Sequence, residues 1–223
     1  MPAESTCWTM IRGAAEGNPS DRAQFVRVYE PVVRAYLVAR WRTVGANLDD
    51  AIQEVFLACF QPEGVLERAD PERPGGFRAF LYGVARNVAR QVETRQARRR
   101  EQPLEGEGSG EPAAEDESLA QAFDRAWAKA LMREAGRLQE EQAATRGAAA
   151  LRRVELLRLR FHEGLPIRDI ARQWGVEASV LHHEYARARE EFRSALHEVV
   201  AFHHPGSPEQ VERVCGELAA LLG

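Results

Sequence analysis

The sequence predicts an all-α protein, and three observations carry that expectation. Apolar residues recur at three- and four-residue steps through most of the chain, which gives a helix one buried face. No stretch alternates β-branched and polar residues, and no Asn-Gly or Asp-Gly hairpin turn occurs. Helix-start residues stand ahead of several of the periodic stretches. The 223 residues suffice for one large domain or two small ones, and 44% hydrophobic with 29% charged residues is a globular composition.

After the turn "GNPSD", Phe25, Val28, Tyr29, Val32, Tyr36 and Leu37 form one apolar stripe, with Arg22, Arg27 and Arg34 mostly off it. That segment is expected to be a helix bent at Pro31. Asp49 or Asp50 is expected to cap the next helix, whose Ile52, Val55, Phe56 and Cys59 mark an inward face and leave Gln53 and Glu54 outward. The stretch "QPEGVLERADPERPGG", with three prolines and a closing glycine pair, predicts an irregular connection. It leads into a helix with Phe77, Phe80, Leu81, Val84 and Val88 on one side and Arg78, Arg86 and Arg90 on its flanks.

Charge then divides the chain into segments. From Arg78 to Arg100 seven arginines stand against Glu93 alone, whereas "EQPLEGEGSGEPAAEDESLA" just beyond is acidic and holds no basic residue. Residues 101–117, rich in Gly, Glu, Pro and Ser, have too little apolar surface to order themselves and predict a flexible acidic linker between two small helical domains. A second helical block is expected from near Ser118, with Phe123, Trp127, Leu131 and Leu138 in register, and "AATRGAAA" either continues or interrupts it. At the end, Ser207 as N-cap, Pro208 at the first helical position and Gln210 form a capping box. The helix behind it carries Val211, Val214, Cys215 and Leu218 on an apolar face and is expected to fold back onto the protein.

Between these lies a helix-turn-helix pattern, expected over 167–189. A small residue is needed where two helices cross closely, and Ala171 supplies it; four residues on, the turn needs a positive φ, and Gly175 supplies that. Ile170, Trp174, Val176 and Leu181 are the expected inward residues. In such a unit the start and outward face of the second helix enter the major groove, which here offers Ser179, Val180, His182, His183 and Arg187. Few of these are the usual base readers, and Glu184 would repel phosphates if it faced them.

Composition also excludes. A net charge of −4 argues against coating DNA by charge alone. No run approaches the roughly 20 apolar residues of a membrane span, and the N-terminus lacks the order of a signal peptide, so a cytoplasmic protein without membrane insertion is expected. Cys7, Cys59 and Cys215 are odd in number and in no CxxC pair, which points away from a disulfide framework or cysteine zinc site. No glycine-rich phosphate loop or HExxH spacing is present. A non-enzymatic protein with neither cofactor nor metal is expected.

The stretches "DDAIQEVFLACF", "FRAFLYGVARNVARQVETRQARRR" and "ELLRLRFHEGLPIRDIARQWGV" together resemble bacterial alternative sigma factors of the extracytoplasmic-function type, from about Trp8 to the end. "FDRAWAKAL" and "SPEQVERVCGELAALLG" resemble a subgroup with an extended fourth domain and an extra C-terminal helix. The resemblance implies a second sigma domain over 1–100, a linker over 101–117, a fourth sigma domain over 118–204 and the extra helix over 205–223. It implies core RNA polymerase and promoter DNA as partners, with an anti-sigma factor as a further candidate. Asp50, Gln53, Glu54 and Phe56 fall where the family grips polymerase, although Gln53 and Glu54 are equally explained as a solvated helix face.

Arg78, Phe80, Asn87, Arg90 and Arg95 fall where the family binds and melts the minus-ten element, and Phe80 is equally explained as core. "ERADPERPGGF" corresponds to the loop that takes a flipped base. Leu156, Leu157, Leu159 and Phe161 correspond to the part that meets the polymerase flap, or to core. Arg168, Ser179, Val180, His182, His183, Arg187 and Arg189 fall in the helix-turn-helix; the family usually carries threonine and two basic residues where this chain has Val180, His182 and Glu184, and aspartate where it has Gln91. Two other functions remain open. One is a sigma-like interaction protein that occupies polymerase or an anti-sigma factor without productive promoter recognition. The other is a free-standing repressor, which the acidic charge disfavours.

Overall fold

The computed structural model describes residues 7–41, 48–62, 64–70, 75–100, 112–204 and 206–222, with backbone only at 99, 100 and 112–117. Among these every element is helical and no strand occurs: α1 (Cys7–Ala15), α2 (Pro19–Trp41), α3 (Leu48–Phe60), a 3-10 turn (Val65–Arg68), α4 (Gly76–Arg100), α5 (Pro112–Arg146), α6 (Ala148–Phe161), α7 (Ile167–Trp174), α8 (Ala178–His203) and α9 (Pro208–Ala220). The expectation of an all-α protein holds. No described helix is long and apolar enough to cross a membrane.

Several local expectations need correction. The turn "GNPSD" is also a cap: the Asn18 side chain accepts hydrogen bonds from the backbone of Ser20 and Asp21 at 2.9 and 3.2 Å, and Pro19 starts α2. Asp49 and Asp50 do not cap α3 but lie in its first turn, where their charges still suit the helix dipole. The proline-rich connection contains the 3-10 turn, because Leu66 is apolar enough to turn inward and is 2% exposed. Its residues 63 and 71–74 lie outside the described ones. α5 begins at Pro112 rather than near Ser118, so 112–117 are helical, and the expected linker's residues 101–111 lie outside the described ones. "AATRGAAA" interrupts the helix, since Gly147 at φ 93° cannot continue it. The Ser207 hydroxyl and Gln210 amide close the expected capping box, with Gln210 Oε1 accepting from the Ser207 backbone at 2.7 Å.

The chain divides into two compact units. The first comprises Met1–Ala130, Phe202–Pro205 and Gly216–Gly223, the second Leu131–Ala201 and Gly206–Cys215, so the division falls within α5, α8 and α9. The first unit is built on aromatic residues. Phe25 meets Tyr29, Phe56, Phe60 and Phe77 edge-on, and Trp127 stacks on Tyr29 with ring centres 5.4 Å apart. Arg22 caps two helix ends, donating to the carbonyls of Ala14 and Phe60 at 2.8 and 2.9 Å. His203 closes the cluster: its Nε2 lies 3.0 Å from the Tyr29 hydroxyl, and its carbonyl accepts from the Cys7 thiol, whose pKa burial pushes up to about 12.

The second unit has its own core of Leu156, Leu159, Ile167, Ile170, Ala171 and Leu181, flanked by Trp174, Val176 and Tyr185. Leu138 is only half-buried. The neighbouring Gln139 is inside instead, its amide donating to the Ala188 carbonyl at 3.0 Å.

Candidate functional site

In the first unit the candidate residues lie on α3 and α4. Ile52, Val55 and Cys59 turn α3 inward, so Asp50 and Gln53 are exposed beside Leu57, whose side chain is 65% exposed. Phe56 is not on this surface. It is 8% exposed and packs Phe25 and Phe60, so it supports α3 from within because its ring fits the aromatic core. Glu54 is half-buried and ion-paired to Arg95 of α4, which brings one residue of each expected contact set together.

α4 is held by its apolar stripe of Phe77, Leu81, Val84, Ala85, Val88, Ala89 and Val92. It is also braced to α2: both oxygens of Glu93 accept from Arg40, at 2.6 and 2.8 Å, and the Trp41 indole donates at 2.9 Å. Burial raises the Glu93 pKa, but these hydrogen bonds together outweigh it and hold the carboxyl below its ordinary value. What remains outward is basic. Arg90, Gln91, Thr94, Arg95 and Arg98 line a shallow, open concavity of about 350 Å³.

Asn87 is exposed next to that concavity. Phe80 is half-buried and stacks on Phe77 with ring centres 5.7 Å apart, so one part of its surface is core and another meets solvent. Arg78, nearer the start of α4, is ion-paired to Asp124 of α5. The expected base pocket "ERADPERPGGF" includes residues 71–74, which lie outside the described ones.

In the second unit α7 and α8 are joined by a tight turn within the stretch where the helix-turn-helix is expected. Gly175 ends α7 in the left-handed region at φ 63°, and the Val176 N–H returns to the Ala171 carbonyl at 3.0 Å, which makes the tight turn. Ser179, Val180, His182, His183, Arg187 and Arg189 are all exposed along α8, with Val180 at 55%, and Arg168 is exposed on α7. Leu181 and Ala188 point into the core, so the exposed residues of α8 share its outer side. Leu156, Leu157 and Leu159 are buried, whereas Phe161 is exposed, its ring tilted against that of Tyr185 with centres 6.4 Å apart.

Glu184 does not stand free toward a ligand. Arg153 of α6, itself buried, donates to Glu184 at 3.2 Å and to Glu191 at 2.7 and 3.0 Å. The hydrogen bond to Glu191, more than the opposing burial, keeps this guanidinium charged. Arg152 beside it lies over the Trp174 ring at 4.5 Å. Sequence reasoning missed Arg153 and Asp124. For Arg153 a signal existed, since it falls on the apolar stripe Ala150, Leu156, Leu157 and a cation there needs a buried partner; for Asp124 the sequence offers none.

Among the described residues no group of three or more His, Cys, Asp or Glu is placed to hold a metal ion. Comparison with protein-family models, with curated proteins and with solved structures returned no match.

Proposed function

We propose that the protein is an alternative sigma factor of the extracytoplasmic-function type, which binds core RNA polymerase in the cytoplasm and directs promoter recognition, melting and transcription initiation. The observation that carries the reading is a helix-turn-helix turned at Gly175 in the same chain as a helix whose outer side is arginine-rich. Duplex recognition and single-strand capture need these two surfaces. The outer side of α8 suits a major groove: Ser179 and the two imidazoles offer donors to base edges, and Arg187 and Arg189 offer charge to phosphates. On α4, exposed arginines toward its end and a half-exposed aromatic ring near its start are what a melted strand requires, charge for its backbone and a face for its bases.

Asp50, Gln53 and Leu57 form an exposed mixed surface on α3 that suits a helical partner, and polymerase is the partner the resemblance names. In this reading the second sigma domain ends near residue 100, the acidic linker tethers it to the fourth, and α9 is the extra helix. Two binding surfaces on one chain then act as a bivalent ligand. An anti-sigma factor is a further candidate partner.

A second reading has support in Val180. An apolar side chain exposed at the start of α8 suits protein docking better than base readout, as expected of a sigma-like protein that occupies polymerase or an anti-sigma factor without productive promoter recognition. A footprint of the holoenzyme on genomic fragments separates the two. Protection of a minus-ten-type element with an upstream element supports the first; polymerase binding without any protected fragment supports the second.

A further inference from the structure

Within the first unit, α5 covers the N-terminal half of α4. Phe123 meets Tyr82 edge-on at 5.3 Å, Trp127 approaches Phe77 at 6.5 Å, and between these contacts the Asp124 carboxylate pairs with the Arg78 guanidinium. The C-terminal half of α4 differs, because Arg90 and Arg98 stand exposed around the shallow concavity. His204, also in this unit, lies near enough to feel Arg78: burial first, then that guanidinium, disfavours its protonated form. The surroundings of Arg78 are therefore an acid in contact and an imidazole whose protonated form is disfavoured.

A carboxylate on an arginine offers the guanidinium what a phosphate would, two anionic oxygens in one plane. Both partners remain partly in solvent, Arg78 at 38% and Asp124 at 28%, so the pair is weak enough to exchange for another anion. We infer that Asp124 is an autoinhibitory stand-in for a nucleic-acid phosphate, occupying Arg78 at the start of α4 until a phosphate of single-stranded DNA displaces its carboxylate. The inference rests on the transcription reading above. It adds that free protein is held back by its own Asp124, and that Arg90 to Arg98 make the first contact with a strand while Arg78 joins later.

The test uses the full chain and a fluorescein-labelled single-stranded oligodeoxynucleotide of mixed sequence, read by anisotropy at low salt. Asp124→Asn keeps the shape and removes the charge, and is expected to tighten binding about two- to fivefold, the range that freeing a part-exposed ion pair allows. Arg78→Gln should weaken binding, and adding Asp124→Asn to it should restore nothing. Glu140→Gln, which removes an exposed charge elsewhere on α5, should leave binding unchanged. Asp124→Ser repeats the measurement, so that a folding defect in one variant does not decide it.

Asp124→Asn that binds like the wild type overturns the inference, as does a gain that persists when Arg78 is Gln, since that gain would be net charge alone. Run-off transcription with core polymerase distinguishes the failures. A transcript together with an inert Asp124→Asn sinks the autoinhibition alone; no transcript from any genomic fragment and no oligonucleotide binding by any variant sink the transcription reading and this inference with it.

Discussion

The Arg153 guanidinium donates to the Glu184 carboxylate at 3.2 Å, from a position on α6 where it is 8% exposed. This turns the Glu184 carboxylate of α8 toward a countercharge. Arg153→Met removes the donor shared by Glu184 and Glu191 and leaves two half-buried carboxylates side by side. A loss of roughly 2 kcal/mol is expected, below the value for a fully buried pair because Glu184 still reaches water. Glu184→Gln should cost less than about 1 kcal/mol. Urea denaturation of the two variants checks the order.

Gly175 holds the turn at φ 63°, and a Cβ there would meet no atom within 4 Å. The cost of a side chain is therefore conformational alone. Gly175→Ala should destabilise by about 1–2 kcal/mol and Gly175→Asn by less, as Asn tolerates this region. Equal losses for the two in thermal melting would mean that contacts, not backbone, select the glycine.

α3 separates stability from binding. Phe56→Ala empties a place in the aromatic core and should cost roughly 3 kcal/mol. Gln53→Ala touches only the exposed side, so its melting curve should match the wild type while its affinity for core polymerase falls. The reverse pattern would remove α3 from the contact surface.

The pH dependence follows from Glu93. Its carboxyl is held below the ordinary 4.5, so its contribution is complete above that pH and is lost as pH falls below it toward the folded-state value. Glu93→Gln should lose roughly 1 kcal/mol at neutral pH, a figure reduced for its part exposure to solvent, and progressively less as pH falls below 4.5. A difference between wild type and variant that does not shrink on acidification contradicts the assignment.

Much of the fold was legible in the sequence because it depends on neighbours. The stripes of α2 and α4, the capping box at Ser207 and the turn at Gly175 are set by residues within one or two helical turns. What was not legible depends on distant partners. Nothing near His203 announces that its ring meets Tyr29 or that its carbonyl meets Cys7, 196 residues away in the chain. The same holds for the candidate site. The exposed rows of α4 and α8 follow from periodicity, whereas the pairing of Arg78 with Asp124 and of Glu184 with Arg153 comes from tertiary packing. Phe56 shows the two kinds of reading side by side: the stripe put it inside, where it lies, while the resemblance alone placed it in the polymerase contact set.

The central claim is that this chain programs polymerase to start transcription, and run-off synthesis tests it most directly. Core RNA polymerase is mixed with the full-length protein and restriction fragments of the source genome, at low and at moderate salt. The account predicts discrete transcripts that require the protein, weaken as salt rises because arginine–phosphate contacts displace counterions, and disappear when Arg90 and Arg187 are both Ala. Stable binding to core polymerase with no transcript from any fragment would contradict it.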